Sequence, residues 1–324
     1  MTKSFRKAWY KRMWIYILLA IIAAFCAVTS FQYHCDMKVA YARLNAYNLK
    51  TINTEFGTMS YVDEGAGEPI LISHGIFGGY DQGFASLNQL VGSDYRKISV
   101  SRFGYPGSDL PESPTPSNQA KVFAALLDEL KIDRVYILTT SAGGAAGLRF
   151  VLDYPERVQG LILLSSGAPD QQRNPEEIKE LGMMGPPKMI VNDFPMWFSM
   201  KYFGFIFNSM MGSEVNGNTL YQTMLPVKPR RQGIITDTDI TNIDMMLHYD
   251  EYPLEEIESP ILVVHAKDDP MAKYENMEKL LARVHAETAI FDTGSHIISG
   301  HDGEVGRAIR DFIAHIADLR SDGQ

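Results

Sequence analysis

Four short stretches of this chain carry side chains able to perform acyl transfer. The first is Thr139-Thr140-Ser141-Ala142-Gly143-Gly144. It follows the apolar run VYILTT and opens a helical pattern, which places Ser141 on a tight strand-to-helix turn. Small residues after the serine let the backbone fold close to itself, and a helix N-terminus offers N–H groups to a developing oxyanion. A serine at that position serves equally well as a helix N-cap, so the motif alone assigns no chemistry. The second stretch is HGIFGG (74–79), whose glycines can turn N–H groups toward the same space. The third is AKDDP (266–270), where a carboxylate can orient a histidine or simply shape a polar turn. The fourth is TGSH, ending at His296, a candidate general base in a Gly-flanked loop.

These stretches gain meaning from the elements that must position them. Residues 51–65 alternate around Gly57 as a hairpin does. The runs PILIS (69–73), KISVS (97–101), VYILTT (135–140), VQGLILLSS (158–166), PILVVHA (260–266) and TAIFD (288–292) read as strands, the first five as buried parallel ones. Helical spacing separates most of them, which predicts an α/β layer fold with a mostly parallel sheet. Each of the four stretches follows a strand. All four therefore face the C-terminal edge of one sheet, where such folds bind ligands.

With Ser, acid and His in that chain order, the sequence resembles the α/β-hydrolase superfamily over about 260 residues. HGIFGG resembles its oxyanion loop, TTSAGG its nucleophile elbow, HAKDDP its acid turn and TGSHIISGH its histidine loop. SRFGYPGSDLP (101–111) resembles the common D-x-x-G-x-G-x-S-x-x-P loop, with Ser101 in place of Asp. HGIFGGYDQG and SRFGYPGS together resemble one bacterial branch. The resemblance implies Ser141 as nucleophile, Asp269 as acid, His296 as base, and the N–H groups of Ile76 and Ala142 as oxyanion hole. Gly75, Phe77 and Trp197 are expected at the substrate. Asp268 is the competing acid, Asp170 a third candidate, and His301 is read as structural. Thr139 departs from the family pattern: it replaces the first glycine of G-x-S-x-G with a β-branched residue.

Between Pro169 and Glu258 no buried-strand run occurs, and this stretch holds ten of the sixteen methionines. The expected organisation is a hydrolase core at 49–170 and 257–319 with a helical cap at 171–256. The cap's Met and aromatic residues make either an adaptable apolar roof or simply the cap's own core. Lys228, Arg230 and Arg231 are read as solvated, with reach to a substrate anion as the alternative.

Residues 13–31 hold no charge and span roughly 28 Å as a helix, about one bilayer core. Residues 1–12 carry Lys3, Arg6, Lys7, Lys11 and Arg12, which should stay cytoplasmic and place the rest on the far side. A cleaved signal peptide is the alternative, giving a secreted or periplasmic protein. Residues 32–48 read as a tether. The net charge of −9 becomes more negative still without those five cations, which argues against nucleic-acid binding. Two cysteines, Cys26 and Cys35, supply neither a disulfide framework nor a thiolate metal site, so no metal or cofactor is expected. Three functions fit: a carboxylic ester hydrolase acting on an apolar or mid-sized acyl group, a C–C hydrolase, amidase or lactonase on the same residues, and a non-catalytic binding protein of this fold.

Overall fold

Short apolar runs bounded by Gly, Pro and polar turns become the strands of one sheet in a computed structural model that describes residues 3–182, 184–212 and 223–322. The strands are β1 (Lys50–Thr54), β2 (Gly57–Glu64), β3 (Pro69–Ser73), β4 (Arg96–Val100), β5 (Val135–Ser141), β6 (Val158–Ser166), β7 (Ile261–Ala266) and β8 (Glu287–Phe291). Their order is β1-β2-β4-β3-β5-β6-β7-β8. β1, β2 and β4 pair antiparallel, and every later pairing is parallel.

Helices cover both faces. On one lie α3 (Pro116–Glu129), α4 (Gly144–Asp153) and α10 (Tyr274–Leu281), with Leu127, Phe150 and Leu280 buried against the sheet. On the other lie α2 (Tyr80–Val91) and α11 (Asp302–Asp322), with Leu87, Ile309 and Phe312. Each such fully buried side chain contributes about 1.5–3 kcal/mol, so the sheet edge that carries the candidate site is held rigidly.

Between β6 and β7 the described residues contain no strand. They form α5 (Pro175–Leu181), α6 (Asp193–Tyr202), α7 (Gly204–Met211), α8 (Arg231–Thr236) and α9 (Asn242–Leu247), with a π turn over Asp237–Thr241. One of the ten methionines of this insertion, Met183, lies outside the described residues.

The N-terminal region differs from expectation. The helix α1 runs unbroken from Lys3 to Leu44, so residues 32–44 are helix and not tether. Thr29, Met37, Ala40 and Leu44 recur every three to eight residues on one face, and that face is buried against the body. The polar residues between them, which suggested a tether, lie on the helix's other sides. The earlier part stands clear of the body: in its most apolar window only 6% is buried. Cys26 and Cys35 are both free.

Candidate active site

β5 ends on Ser141, whose φ of 50° is a left-handed conformation that a non-glycine residue adopts at a cost. The turn is pinned on both sides: Gly143 N–H donates to Thr140 O at 2.8 Å, and Gly167 N–H donates to Ser141 O at 2.9 Å. A Cβ on Gly143 would overlap the carbonyl oxygens of Ser73 and His74, so the β3 loop crosses where only glycine fits. Thr139, the departure from the glycine pattern, is accommodated from the helix side. Its Cγ2 occupies the space a Cβ on Gly147 would need, two residues beyond Ala145 in α4. Its Oγ1 lies 2.9 Å from Ser166 Oγ.

β7 and β8 supply the acid and the histidine. Asp269 Oδ2 lies 2.8 Å from His296 Nδ1, and both residues are buried. The other oxygen, Oδ1, accepts from the N–H groups of Met271 and Ala272 at 2.8 and 3.0 Å. The carboxylate is thus fixed in direction and already hydrogen-bonded as an anion. Asp268 does different work: its oxygens accept from the Ser295 and Gly294 N–H groups at 2.8 and 3.3 Å and hold the histidine loop. That loop is strained, with positive φ at Gly294, Ser295 and Ile298 around His296. Asp170 is bidentate to Arg173 at 2.5 and 2.6 Å, which removes it as a partner for His296. His301 pairs with Glu304 at 2.5 Å and packs on Phe291.

The HGIFGG loop lies beside Ser141. A Cβ on Gly75 would meet Ser141 Cβ at 3.0 Å. Among the described residues neither the Ile76 nor the Ala142 N–H donates to a protein acceptor. Both residues line the cavity that Ser141 and His296 share. Ser141 Oγ and His296 are not hydrogen-bonded to each other in this structure, a link that is often long in ligand-free sites.

His74 is a buried joint. Its Nδ1–H donates to Gly75 O at 2.8 Å, while Nε2 accepts from Arg102 N–H at 3.1 Å. Burial, and then the Arg102 guanidinium, hold its pKa well below the usual imidazole value. It is therefore the neutral tautomer that joins the HGIFGG loop to the SRFG loop. His265, behind Asp269, bonds Ala272 O at 2.7 Å, and burial lowers its pKa as well.

Two buried ion clusters fasten the insertion to the core. Arg102 is bidentate to Asp237 of the π turn at 2.6 and 2.7 Å, and Tyr105 OH donates to the same carboxylate at 2.5 Å. Burial and Asp237 raise the Tyr105 pKa well above its ordinary value. Arg230, read as solvated from sequence, is fully buried instead. It donates to Asp81 Oδ2 at 2.5 Å, Pro226 O at 2.7 Å and Phe77 O at 3.0 Å. Asp81 Oδ2 also takes Arg43 Nη1 of α1 at 2.7 Å. Arg230 thus braces the residue after Ile76 and cannot reach a substrate. Lys228 and Arg231 are exposed.

The cavity measures about 1340 Å³ and runs from Ser141, Ala142, Ile76 and His296 up into the insertion. Met184, Met196, Met224, Phe198 and Phe207 line its upper wall. Gly75 and Phe77 are on the wall as expected. Trp197 is not on it. It points away from the cavity toward α1, with Nε1–H on Asp36 at 2.9 Å and its ring against Tyr33. The aromatic richness around Trp197 suggested the pocket because α6 is apolar on several sides, one of which belongs to α1. The sequence signal missed was Tyr33 and Asp36, three residues apart on the same helix.

The fold and the grouping of these residues define a class. Residues 68–211 match the family described as alpha/beta hydrolase fold. The chain has the α/β-hydrolase fold. It is 35% identical over 118 residues to an uncharacterized hydrolase, YcgS, of Bacillus subtilis, covering 36% of this chain and 41% of that protein. Across the first three curated relatives the match spans about two fifths of their length, 41%, 38% and 39%. A longer match, 28% identical over 79% of this chain and 91% of the relative, is to a 2-hydroxy-6-oxononadienedioate/2-hydroxy-6-oxononatrienedioate hydrolase of Paraburkholderia xenovorans. Among solved structures, carboxylesterase CesB of Bacillus subtilis superposes with a TM-score of 0.62 at 17% identity, over 88% of this chain and 98% of its own.

Proposed function

We propose that this protein is a serine hydrolase that cleaves carboxylic esters with an apolar or mid-sized acyl part through an acyl-enzyme. The observation that carries this reading is the buried Asp269–His296 pair, 2.8 Å apart, with His296 on the wall of the cavity that Ser141 lines from a strained elbow. His296 takes the Ser141 proton through Nε2 while Asp269 holds the Nδ1–H tautomer and stabilises the imidazolium. Ser141 Oγ attacks the acyl carbon, and the Ile76 and Ala142 N–H groups receive the oxyanion. Losing one such donor typically costs about 2.7–4 kcal/mol of barrier. His296 passes the proton to the leaving alcohol, and water then releases the acid.

A C–C hydrolase is the second reading, favoured by the name of the Paraburkholderia relative. A dienoate substrate calls for a polar clamp on the insertion side. There Arg173 is already bidentate to Asp170, Asn242 is bonded to Met184 O, and most of the insertion's other wall residues are apolar. That chemistry suits an acyl chain better.

We further propose that α1 anchors the protein in a membrane as the insertion caps the site, with the body on the extracytoplasmic side. The free-standing apolar half of α1 and the five cations before it support this.

The test is labelling of the full-length protein in detergent by a fluorophosphonate, beside Ser141→Ala, followed by turnover of esters of graded chain length. Labelling confined to the wild type is expected. Equal labelling of Ser141→Ala would remove Ser141 as nucleophile, and an unlabelled wild type would favour a binding protein.

A further inference from the structure

α1 stands clear of the body until Phe25, whose ring meets Tyr202 at the C-terminal end of α6 with centroids 5.8 Å apart. One turn on, Thr29 Oγ1 lies 3.1 Å from Tyr202 OH. Both contacts fall within the uncharged run that ends at Phe31. Phe25 is six residues inside that run, roughly 9 Å along the helix axis. The α6–α7 corner therefore reaches past the end of the apolar run toward its middle.

The side chains at this corner suit that depth. Phe203, Phe205 and Ile206 are 43%, 69% and 49% exposed, an apolar patch beside an apolar helix. Charge resumes one step back toward the body. Lys201 Nζ turns to Asp36 Oδ2 at 3.0 Å, and Asp36 is the first charged residue of the chain after Arg12. A lysine that follows its stem to a carboxylate at the edge of an apolar zone is snorkelling. Phe203 and Ile206 also line the cavity that contains Ser141. The exposed apolar patch thus adjoins the candidate active site, with Phe203 and Ile206 on its rim and Phe205 beyond it.

We propose that the α6–α7 corner is seated in the bilayer that α1 spans, and that the cavity takes its substrate sideways from that bilayer. The substrate is a membrane-resident ester with a long acyl chain. The chain passes Phe203 and Ile206 toward Ser141, while the polar head stays at the level of Lys201 and Asp36. This rests on the ester-hydrolase and anchor readings and adds the source and length of the acyl group. The bonds made and broken are those of the hydrolysis already described.

The test uses the full chain in nanodiscs of phosphatidylcholine and phosphatidylglycerol. With Cys26→Ser and Cys35→Ser removing the native thiols, an environment-sensitive fluorophore is attached at Phe205→Cys or, as a control, at Glu156→Cys beyond the opposite edge of the sheet. Lipid carrying a nitroxide on its acyl chain should quench the label at 205 and not at 156. Equal quenching at the two sites overturns the proposal and leaves the hydrolase reading standing. In parallel, Phe205→Asp, outside the cavity wall, should lower turnover of a long-chain ester embedded in vesicles by about tenfold and leave a short soluble ester unaffected. An equal loss on both substrates, or on neither, overturns it too. A wild type that is quenched at 205 but hydrolyses no ester of any length sinks the hydrolase reading and the substrate with it, and leaves only the seating.

Discussion

Thr139 is where the sequence departs most from the α/β-hydrolase pattern it resembles, and the contact that resolves the mismatch is with Gly147. The two residues are eight apart, one at the end of β5 and the other inside α4, so no local pattern links them. The threonine methyl fills the volume a Cβ on Gly147 would need. Gly147→Ala should therefore overpack the elbow and cost about 1–3 kcal/mol, with loss of fluorophosphonate labelling. Thr139→Ser removes the methyl and keeps the hydroxyl near Ser166. The double variant should recover most of the loss in urea unfolding, and additive effects would refute the pairing. Counting along HAKDDP selected Asp269, the carboxylate that the structure sets against His296, because the motif spacing encodes which residue turns inward. His74 was legible only as the first letter of a loop motif. Its neutral state follows from burial and Arg102 across the sheet edge. The pH consequence has a definite sign. His74 and His265 both have lowered pKa values in the fold, so between those values and the ordinary 6.5 the unfolded chain binds more protons. Stability is full above about pH 6.5 and declines as the pH falls below it. Urea midpoints at pH 7.5 and 5.5 should show this drop, and it should shrink in His74→Asn.

At the scale of elements, the strands were legible because a buried parallel strand is an uninterrupted apolar run between turn residues, as PILIS and VQGLILLSS are. The insertion was legible only as a gap in that rhythm. Its attachment was not, because the partners are far apart in sequence: Arg102 with Asp237, and Arg230 with Asp81. The second cluster also draws in α1, since Asp81 lies between Arg230 and Arg43. The docked face of α1 did leave a trace, in Thr29, Met37, Ala40 and Leu44, but the charged residues between them masked it. Arg230→Ala removes the fully buried partner of Asp81, leaving the carboxylate to Arg43 alone, and should cost about 3–5 kcal/mol. Arg43 is partly exposed, so Arg43→Ala should cost less, near about 1.5 kcal/mol. A fragment beginning at residue 50 loses Arg43 and uncovers Val62 and Tyr80, which pack against Leu44. It should melt below the full chain in matched detergent by at least as much as Arg43→Ala does. Equal melting temperatures would show that α1 is a mere leash.

For the whole molecule, under the membrane reading proposed above, the docked half of α1 turns an anchor into a fixed mount. One unbroken helix carries both the apolar run and the contacts with Asp81, Asp193 and Trp197, so the body cannot swivel freely about a tether. Its orientation across a membrane is then set by the charges that flank the run. Lys3, Arg6, Lys7, Lys11 and Arg12 precede it, and the first charge after it is the acid Asp36, with Lys38 and Arg43 beyond. The cationic excess on the N-terminal side favours keeping that end cytoplasmic. Alkaline phosphatase, which is active only outside the cytoplasm, should be active when fused after Gln324 in a bacterial host. Replacing the five N-terminal cations with Gln should reduce that activity severalfold, because Lys38 and Arg43 then supply the larger cationic count on the opposite flank. An inactive fusion on the unaltered chain would place the body in the cytoplasm. It would leave the geometry of the site intact but reverse the face of the bilayer from which any membrane-resident ester must come.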